Sequence, residues 1–515
     1  MEALTFASPS VLFPLDTPRP TLRVDPPPYF PDLFLHQVVN AITAGRGEYG
    51  LNSFFYTPLT DVSAVLYRQE VMKDIEDLEV YAQLTAFASA MRTVRENLAH
   101  AQKTYYERQQ ERWFLDAVST YCDAVLGLTQ GLSTTRLRST GLVAFRNFLL
   151  HYTASAQFLR LREEALQLRH LLSSIRYAVR IHGLRVEVRA YAGEEDYSAE
   201  ITRTFARFRQ ADVPGYNFLF KDSPEMNHVE AQILDGVATL YPEVFSRLAA
   251  FRQVHRAFVD PTIAVFDREA QFYLGYLDYI APLKQAGLPF CYPHITEASS
   301  RIYARQCFDL VLATKLLGEG SLPVCNDFAL DGPERMLVVT GPNQGGKTTF
   351  ARSIGQLHHL AALGCPVPGT EAQLYLPDRI FTHFEQGEHP EGVVGKLEDD
   401  LLRIREILAD ATSRSLLIIN EIFSSTSLHD ALFLSKRIVS AILDLGAPCV
   451  WVTFLDELAS LNEKTVSMVA TVDPHNPEVR TFRIERRPAD GLAYAMTLAR
   501  KHRLTYEMIR ERLRP

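Results

Sequence analysis

Residues 335–355 read RMLVVTGPNQGGKTTFARSIG. The stretch opens on a short apolar, β-rich run, MLVVT (336–340). It closes on a helical pattern in which Phe350, Ile354, Leu357 and Ala361 share one face. Between the two, Gly341, Gly346, Lys347 and Thr348 satisfy G-x-x-x-x-G-K-[ST] in the setting that motif requires, with a strand before and a helix after. Each part has a physical task. Glycines let the backbone wrap closely around phosphates, and main-chain N–H groups with the helix N-terminus supply positive potential. Lys347 is expected to reach the β- and γ-phosphates, and the Thr348 hydroxyl to ligate Mg²⁺. The candidate ATP-binding residues are Gly341, Pro342, Asn343, Gln344, Gly345, Gly346, Lys347, Thr348 and Thr349, with Lys347 also a candidate catalytic group. The bland alternative is a chance match in a glycine-rich turn, and the strand and helix flanks speak against it.

A second stretch, LLIINEIFSSTS (416–427), supplies the other half of such a site. Asn420 stands at the end of an apolar run, where a carboxylate on the Mg²⁺ side would be expected. Glu421 follows as the natural general base for the attacking water. An amide oxygen still accepts from metal-bound water but carries no charge, so Asn420 joins Thr348 as a candidate metal-side residue. The competing reading of Glu421 is a solvated strand-end carboxylate.

Working outward, RIFTHF (379–384) and CVWVTF (449–454) are further short β-rich runs, and VRTFRIE (479–485) looks like an edge strand. Helical patterns lie between several of them, one with Leu397, Leu401, Ile404 and Leu408 at helical spacing. Strands alternating with helices predict a mainly parallel, two-sided α/β sheet from about residue 316 onward. The first half is different. Residues 1–48 are Pro-rich and predict extended structure, with one helix near Phe34 to Ala44. From about Thr60 to Ala178, and again over 226–284, the chain is helical in composition. HGLRVEVRAY (182–191) alternates polar and apolar residues, which predicts a strand.

The 515 residues carry a net charge of −8, which excludes a chain that binds nucleic acid through overall basicity. Six cysteines, with no C-x-x-C pair, predict neither a disulfide framework nor a zinc site. The N-terminus does not read as a signal peptide and no apolar run is long enough for a membrane span, so a cytoplasmic protein is expected. His358 and His359 are read as packing residues, and the aromatics of FFYTPLTD (54–61) as core.

With these motifs quoted, the chain resembles the MutS family of mismatch-repair ATPases. The segment 335–355 is similar to that family's phosphate-loop segment, PDRIFTHF (377–384) to its next strand, and NEIFSSTSLHDA (420–431) to its Asp-Glu motif. VTFLDELASL (452–461) resembles its Thr-His strand, and PADGLAYAMTLA (488–499) its closing segment. The resemblance covers roughly 320–515. It implies an α/β P-loop NTPase domain of the ABC/MutS type (316–515) behind a long, mostly α-helical core/lever domain (49–315) with a short clamp-like insertion at about 180–212. It further implies ATP and Mg²⁺ as cofactors and a homodimer that holds DNA by its backbone. No stretch is expected to form the family's mismatch-recognition or connector domains. Four positions depart from the family pattern: Asn420 for Asp, Phe454 for a switch His, Gly395 for a Ser that reaches the partner subunit, and Pro323 for an aromatic that stacks on adenine.

By the same resemblance, Arg176, Arg180, Arg185 and Arg189 are candidate phosphate-contacting residues in an arginine-rich stretch. The bland reading is a solvated face laced with ion pairs. Two functions follow. One is a MutS-like, DNA-binding ATPase acting as a dimer clamp on duplex or branched DNA. The other is a slowly hydrolysing nucleotide switch that acts through protein partners of unknown identity.

Overall fold

The computed structural model describes residues 9–183, 185–194, 226–297, 300–384, 395–473, 475–476, 479–489 and 505–512. Residues 490–499 of the expected closing segment (488–499), and the part of the expected insertion beyond residue 194, lie outside the described residues. The chain divides into two compact units. One comprises Met1–Glu76, Arg138–Leu142 and Arg268–Pro515, the other Asp77–Leu137 and Val143–Asp267. This partition differs from the expected boundaries at 48/49 and 315/316. The reason is that both flanks of the helical stretch are packed into the first unit.

The second unit is built from long helices. Leu78–Lys103 and Glu107–Thr134 run 26 and 28 residues, and their short connection makes them antiparallel neighbours. Asp77 starts the first by accepting the N–H of Glu79, as an N-cap carboxylate should. Ala156–Ser174, His228–Leu240 and Pro242–Val254 pack beside them. Pro242 stands at the first turn of its helix, where a missing N–H costs nothing. Aromatic contacts tie the unit together: Phe145 stacks on Phe266 with centroids 3.5 Å apart, and the Tyr121 and Tyr152 hydroxyls lie at 2.8 Å.

The expected strand at 182–191 is a hairpin instead, with β1 (Tyr177–His182) antiparallel to β2 (Arg185–Ala190). Gly183, at φ 58°, makes the turn, a conformation that favours glycine. Polar and apolar residues alternate in the first strand as in the second, so sequence pattern alone did not separate them. One face carries Val188, which packs with Val237, Ala238 and Phe245.

In the first unit, further strands are β3 (Phe290–Cys291), β4 (His294–Thr296), β5 (Arg301–Cys307), β6 (Asn326–Asp331), β7 (Met336–Thr340), β8 (Val367–Pro368) and β9 (Glu371–Tyr375). They continue with β10 (Ile380–His383), β11 (Leu416–Asn420), β12 (Cys449–Val452), β13 (Thr465–Val472) and β14 (Arg480–Arg486). Among the described residues the central sheet has the order β10-β11-β12-β7-β13-β14. Its first five strands are parallel, and β14 closes the edge antiparallel to β13. A smaller mixed sheet, β4-β9-β5-β6, lies beside it. The helix Lys347–Ala362 follows β7 and is buried on nearly every side rather than on one face. Gly355 permits this, since a Cβ there would lie 2.7 Å from atoms of both Ile418 and Leu33. His358 and His359 are buried in that helix, and burial holds their pKa values down at about 4 and about 3. They are neutral packing residues, as expected. Phe55, likewise, is core, its ring tilted against Phe272.

The described part of the Pro-rich N-terminus, residues 9–34, runs in turns and irregular backbone to its helix at Leu35–Thr43, yet it is not loose. Val11, Leu12 and Phe13 are buried. The Glu269 carboxylate accepts from the Ser10 hydroxyl and from the N–H groups of Val11 and Leu12. Arg68, fully buried, donates to the carbonyls of Leu12 and Leu363. Among the described residues no helix is long and apolar enough to cross a membrane.

Removing the Glu269 carboxylate orphans the Val11 N–H and takes the acceptor from the Ser10 hydroxyl, while the Leu12 N–H keeps Ser10 Oγ. Glu269→Ala is expected to cost about 2–3 kcal/mol in chemical denaturation, with faster proteolysis around residues 8–24. Equal stability and equal protease resistance would contradict the role assigned to it.

Candidate functional site

The loop 341–346 joins the C-terminal end of β7 to the N-terminus of the helix at Lys347. Its shape depends on three left-handed residues, Gly341 (φ 112°), Gln344 (φ 61°) and Gly346 (φ 91°). At Gly341 a Cβ would meet the Ala470 carbonyl oxygen at 2.8 Å, so glycine is required there on space as well as on φ.

The Lys347 side chain is 4% exposed. Its ammonium donates to the carbonyls of Gly341 and Pro342 at 3.0 and 3.2 Å, and to Asn343 Oδ1 at 3.2 Å. Glu421 Oε1 lies 3.6 Å away. Burial pulls the lysine pKa down; Glu421 pushes it back up, and Arg480 adds to the downward pull. Arg480 also donates to the Asn343 carbonyl, latching the loop from β14.

β11 lies two places from β7 in the sheet order, with β12 between them. It ends at Asn420, which is buried and accepts the Thr348 hydroxyl at 2.9 Å. The expected metal-side pair is thus in direct contact. A hydroxyl beside an amide oxygen fits Mg²⁺, which keeps several waters and uses one or two protein ligands together with phosphate. Glu421 follows in the left-handed region at φ 51°, and Phe423 does the same at φ 63°. Such conformations cost on the order of 1–3 kcal/mol each and persist only where neighbouring structure enforces them.

Gly345, Gly346, Lys347, Thr348 and Glu421 line one cavity of about 670 Å³. Pro323 is on its wall, where the resemblance called for an aromatic. The wall carries a different aromatic, Phe482, which sequence reasoning did not single out. Phe482 is half-exposed, sits at φ 57° on β14, and lies 3.8 Å from a Cβ built on Gly346. Asn326 clamps the backbone around it, donating to the Phe482 carbonyl and accepting the Ile484 N–H. Only the sheet order, with β14 two places from β7, brings this residue to the loop.

Two other departures fall outside the cavity lining. Phe454 is 49% exposed just beyond β12, and Gly395 precedes the helix Lys396–Asp410 without a side chain to cap it. In the second unit, strand register puts Arg180, Arg185 and Arg189 on one face of the hairpin, with Arg180 opposite Glu187 and Arg185 opposite His182. Arg176, one residue before β1, is exposed as well. Glu187 pairs with Arg189 at 2.9 Å, so the face is basic with one internal ion pair.

Fold and site together define an α/β domain with a strand–glycine-rich loop–helix unit and a carboxylate facing the loop lysine. Comparison with known sequences agrees. Residues 337–510 match the family model for MutS domain V. The chain is 32% identical over 174 residues to the DNA mismatch repair protein MutS of Caldicellulosiruptor saccharolyticus, covering 33% of this chain and 20% of that protein. It is 34% identical over 152 residues to the MutS of Brevibacillus brevis, covering 29% and 18%. To the Endonuclease MutS2 of Thermus thermophilus it is 30% identical over 192 residues, covering 36% and 25%. The matched stretch spans a quarter or less of each relative's length. Over residues 337–510 the chain is thus similar to domain V of the MutS family.

Proposed function

We propose that residues 341–349, with Asn420 and Glu421, bind ATP and Mg²⁺ and hydrolyse ATP slowly, and that the chain works as a MutS-like dimer on DNA. The observation that carries the nucleotide reading is the meeting of Lys347, Thr348 and Glu421 at one cavity, with Asn420 buried directly behind Thr348. In this reading the loop N–H groups and Lys347 hold the β- and γ-phosphates, and Phe482 offers a face for the base. Thr348 and Asn420 would hold the Mg²⁺, which when bound neutralises charge on the phosphate oxygens. Glu421 takes the proton of the attacking water. Its nearness to Lys347 keeps the carboxylate beside the ammonium that would meet the terminal phosphate. The neutral amide at 420 weakens the metal side relative to a carboxylate, which is the basis for expecting slow turnover.

The DNA reading is supported by the arginine face of the hairpin and by the similarity to DNA mismatch repair proteins. Exposed arginines at strand spacing suit a run of backbone phosphates and carry no sequence information. A second reading, a nucleotide switch acting through protein partners, draws on the same Asn420 and on Phe454, which stands exposed where the family has its switch His.

Glu421→Gln is expected to lower steady-state ATP turnover at least ~100-fold while ATP still binds; unchanged turnover would remove Glu421 as the base. For the partner, fluorescence anisotropy with mismatched, homoduplex and four-way-junction DNA at two salt concentrations is the test. Binding is expected to weaken with salt and to weaken at least ~10-fold when Arg180, Arg185 and Arg189 become Ala. No binding to any of these at low salt would overturn the DNA reading and leave the switch.

A further inference from the structure

The turn Glu421–Ile422–Phe423 places two left-handed residues within three positions, and one of them is the bulky Phe423. Something must hold it. The Glu421 N–H is fixed by the Val452 carbonyl at 3.0 Å, an extension of the sheet ladder. The Phe423 N–H goes elsewhere. It donates to Asp400 Oδ2 at 3.1 Å, and Asp400 is a buried side chain on the helix Lys396–Asp410. The Phe423 ring is fully buried and belongs to one core cluster with Ile422 and Ile404, the latter one helical turn beyond Asp400. At the start of the same helix, Lys396 Nζ donates to Ser424 Oγ at 3.2 Å. The helix thus grips the turn at two successive residues, 423 and 424.

Asp400's second oxygen lies 3.4 Å from His383 Nε2. Burial holds the His383 pKa at about 4, so the imidazole is neutral and the contact is not an ion pair. Among the described residues neither ring nitrogen of His383 has a hydrogen-bond partner of good geometry. The polar contact that gives Asp400 a task is therefore the Phe423 amide.

We propose that Asp400 is a positioning residue for hydrolysis: its carboxylate pins the Phe423 amide and so keeps the Glu421 carboxylate beside Lys347. The proposal rests on the reading of Glu421 as the base. It makes the position of the helix Lys396–Asp410 an input to catalysis, transmitted through one hydrogen bond.

The test uses the full chain with Asp400→Ala and Asp400→Asn. Asparagine keeps an oxygen acceptor of the same reach, and alanine leaves the buried amide orphaned. Asp400→Ala is expected to lower kcat at least tenfold with the ATP dissociation constant within twofold, and Asp400→Asn to restore kcat to within about threefold of wild type. Hydrogen exchange, read on a peptide covering residues 420–425, should be faster in Asp400→Ala and return to the wild-type rate in Asp400→Asn. Unchanged exchange in Asp400→Ala overturns the proposal, as does unchanged kcat, or ATP affinity that falls in step with kcat. If the wild type hydrolyses no ATP, the reading of Glu421 as base fails, while the exchange experiment still decides whether Asp400 holds the turn.

Discussion

A lysine ammonium buried at the top of a parallel sheet is the constraint on which the rest of this domain depends. A desolvated cation is tolerated only where acceptors and an opposite charge surround it. Lys347 has the carbonyls of Gly341 and Pro342, the amide of Asn343, and Glu421 at 3.6 Å. Two of these acceptors exist because Gly341 and Gly346 take left-handed backbone angles. The opposing charge exists because β11 ends two strands away with its next residue turned back toward the loop. The sheet order is thus a device for delivering strand ends to one ammonium. The acceptors that satisfy it are also those with which a phosphate would compete.

The neighbouring amide fits the same picture. Asn420 meets the Thr348 hydroxyl directly, so the substitution of amide for carboxylate changes the charge of the pair without abolishing its contact. The four departures do not share one environment. Asn420 is buried beside the loop and Pro323 lines the cavity, whereas Phe454 and Gly395 are exposed. One of the four changes therefore lines the cavity, one is buried behind it at Thr348, and the other two lie on the surface.

Much of this was legible in the sequence, because it rests on local pattern. The runs 336–339, 416–419 and 449–452 are uninterrupted apolar segments and form the buried parallel strands they predict. The loop motif and Glu421 were readable as spacing. What was not legible depends on distant partners. TVSMVATV (465–472) interleaves Thr and Ser with apolar residues, and it becomes a central strand only by pairing with β7 and β14. The small β4-β9-β5-β6 sheet draws its strands from segments up to about eighty residues apart. Phe482 reaches the cavity by sheet order, and Asp400 acts by burial, which an acidic run such as LEDD gives no reason to expect. The proline-rich N-terminus read as extended, but nothing in its composition announced that Glu269 would hold it in the core.

Isothermal titration of the full chain with ATP and Mg²⁺, run in parallel on wild type and Lys347→Ala, tests most directly whether this buried ammonium is a phosphate site. One ATP per chain is expected to bind the wild type. The lysine variant, still folded by circular dichroism, should bind at least ~100-fold more weakly, as loss of a desolvated charge contact implies. Absence of binding by the wild type, or equal affinity in the two proteins, would contradict the account.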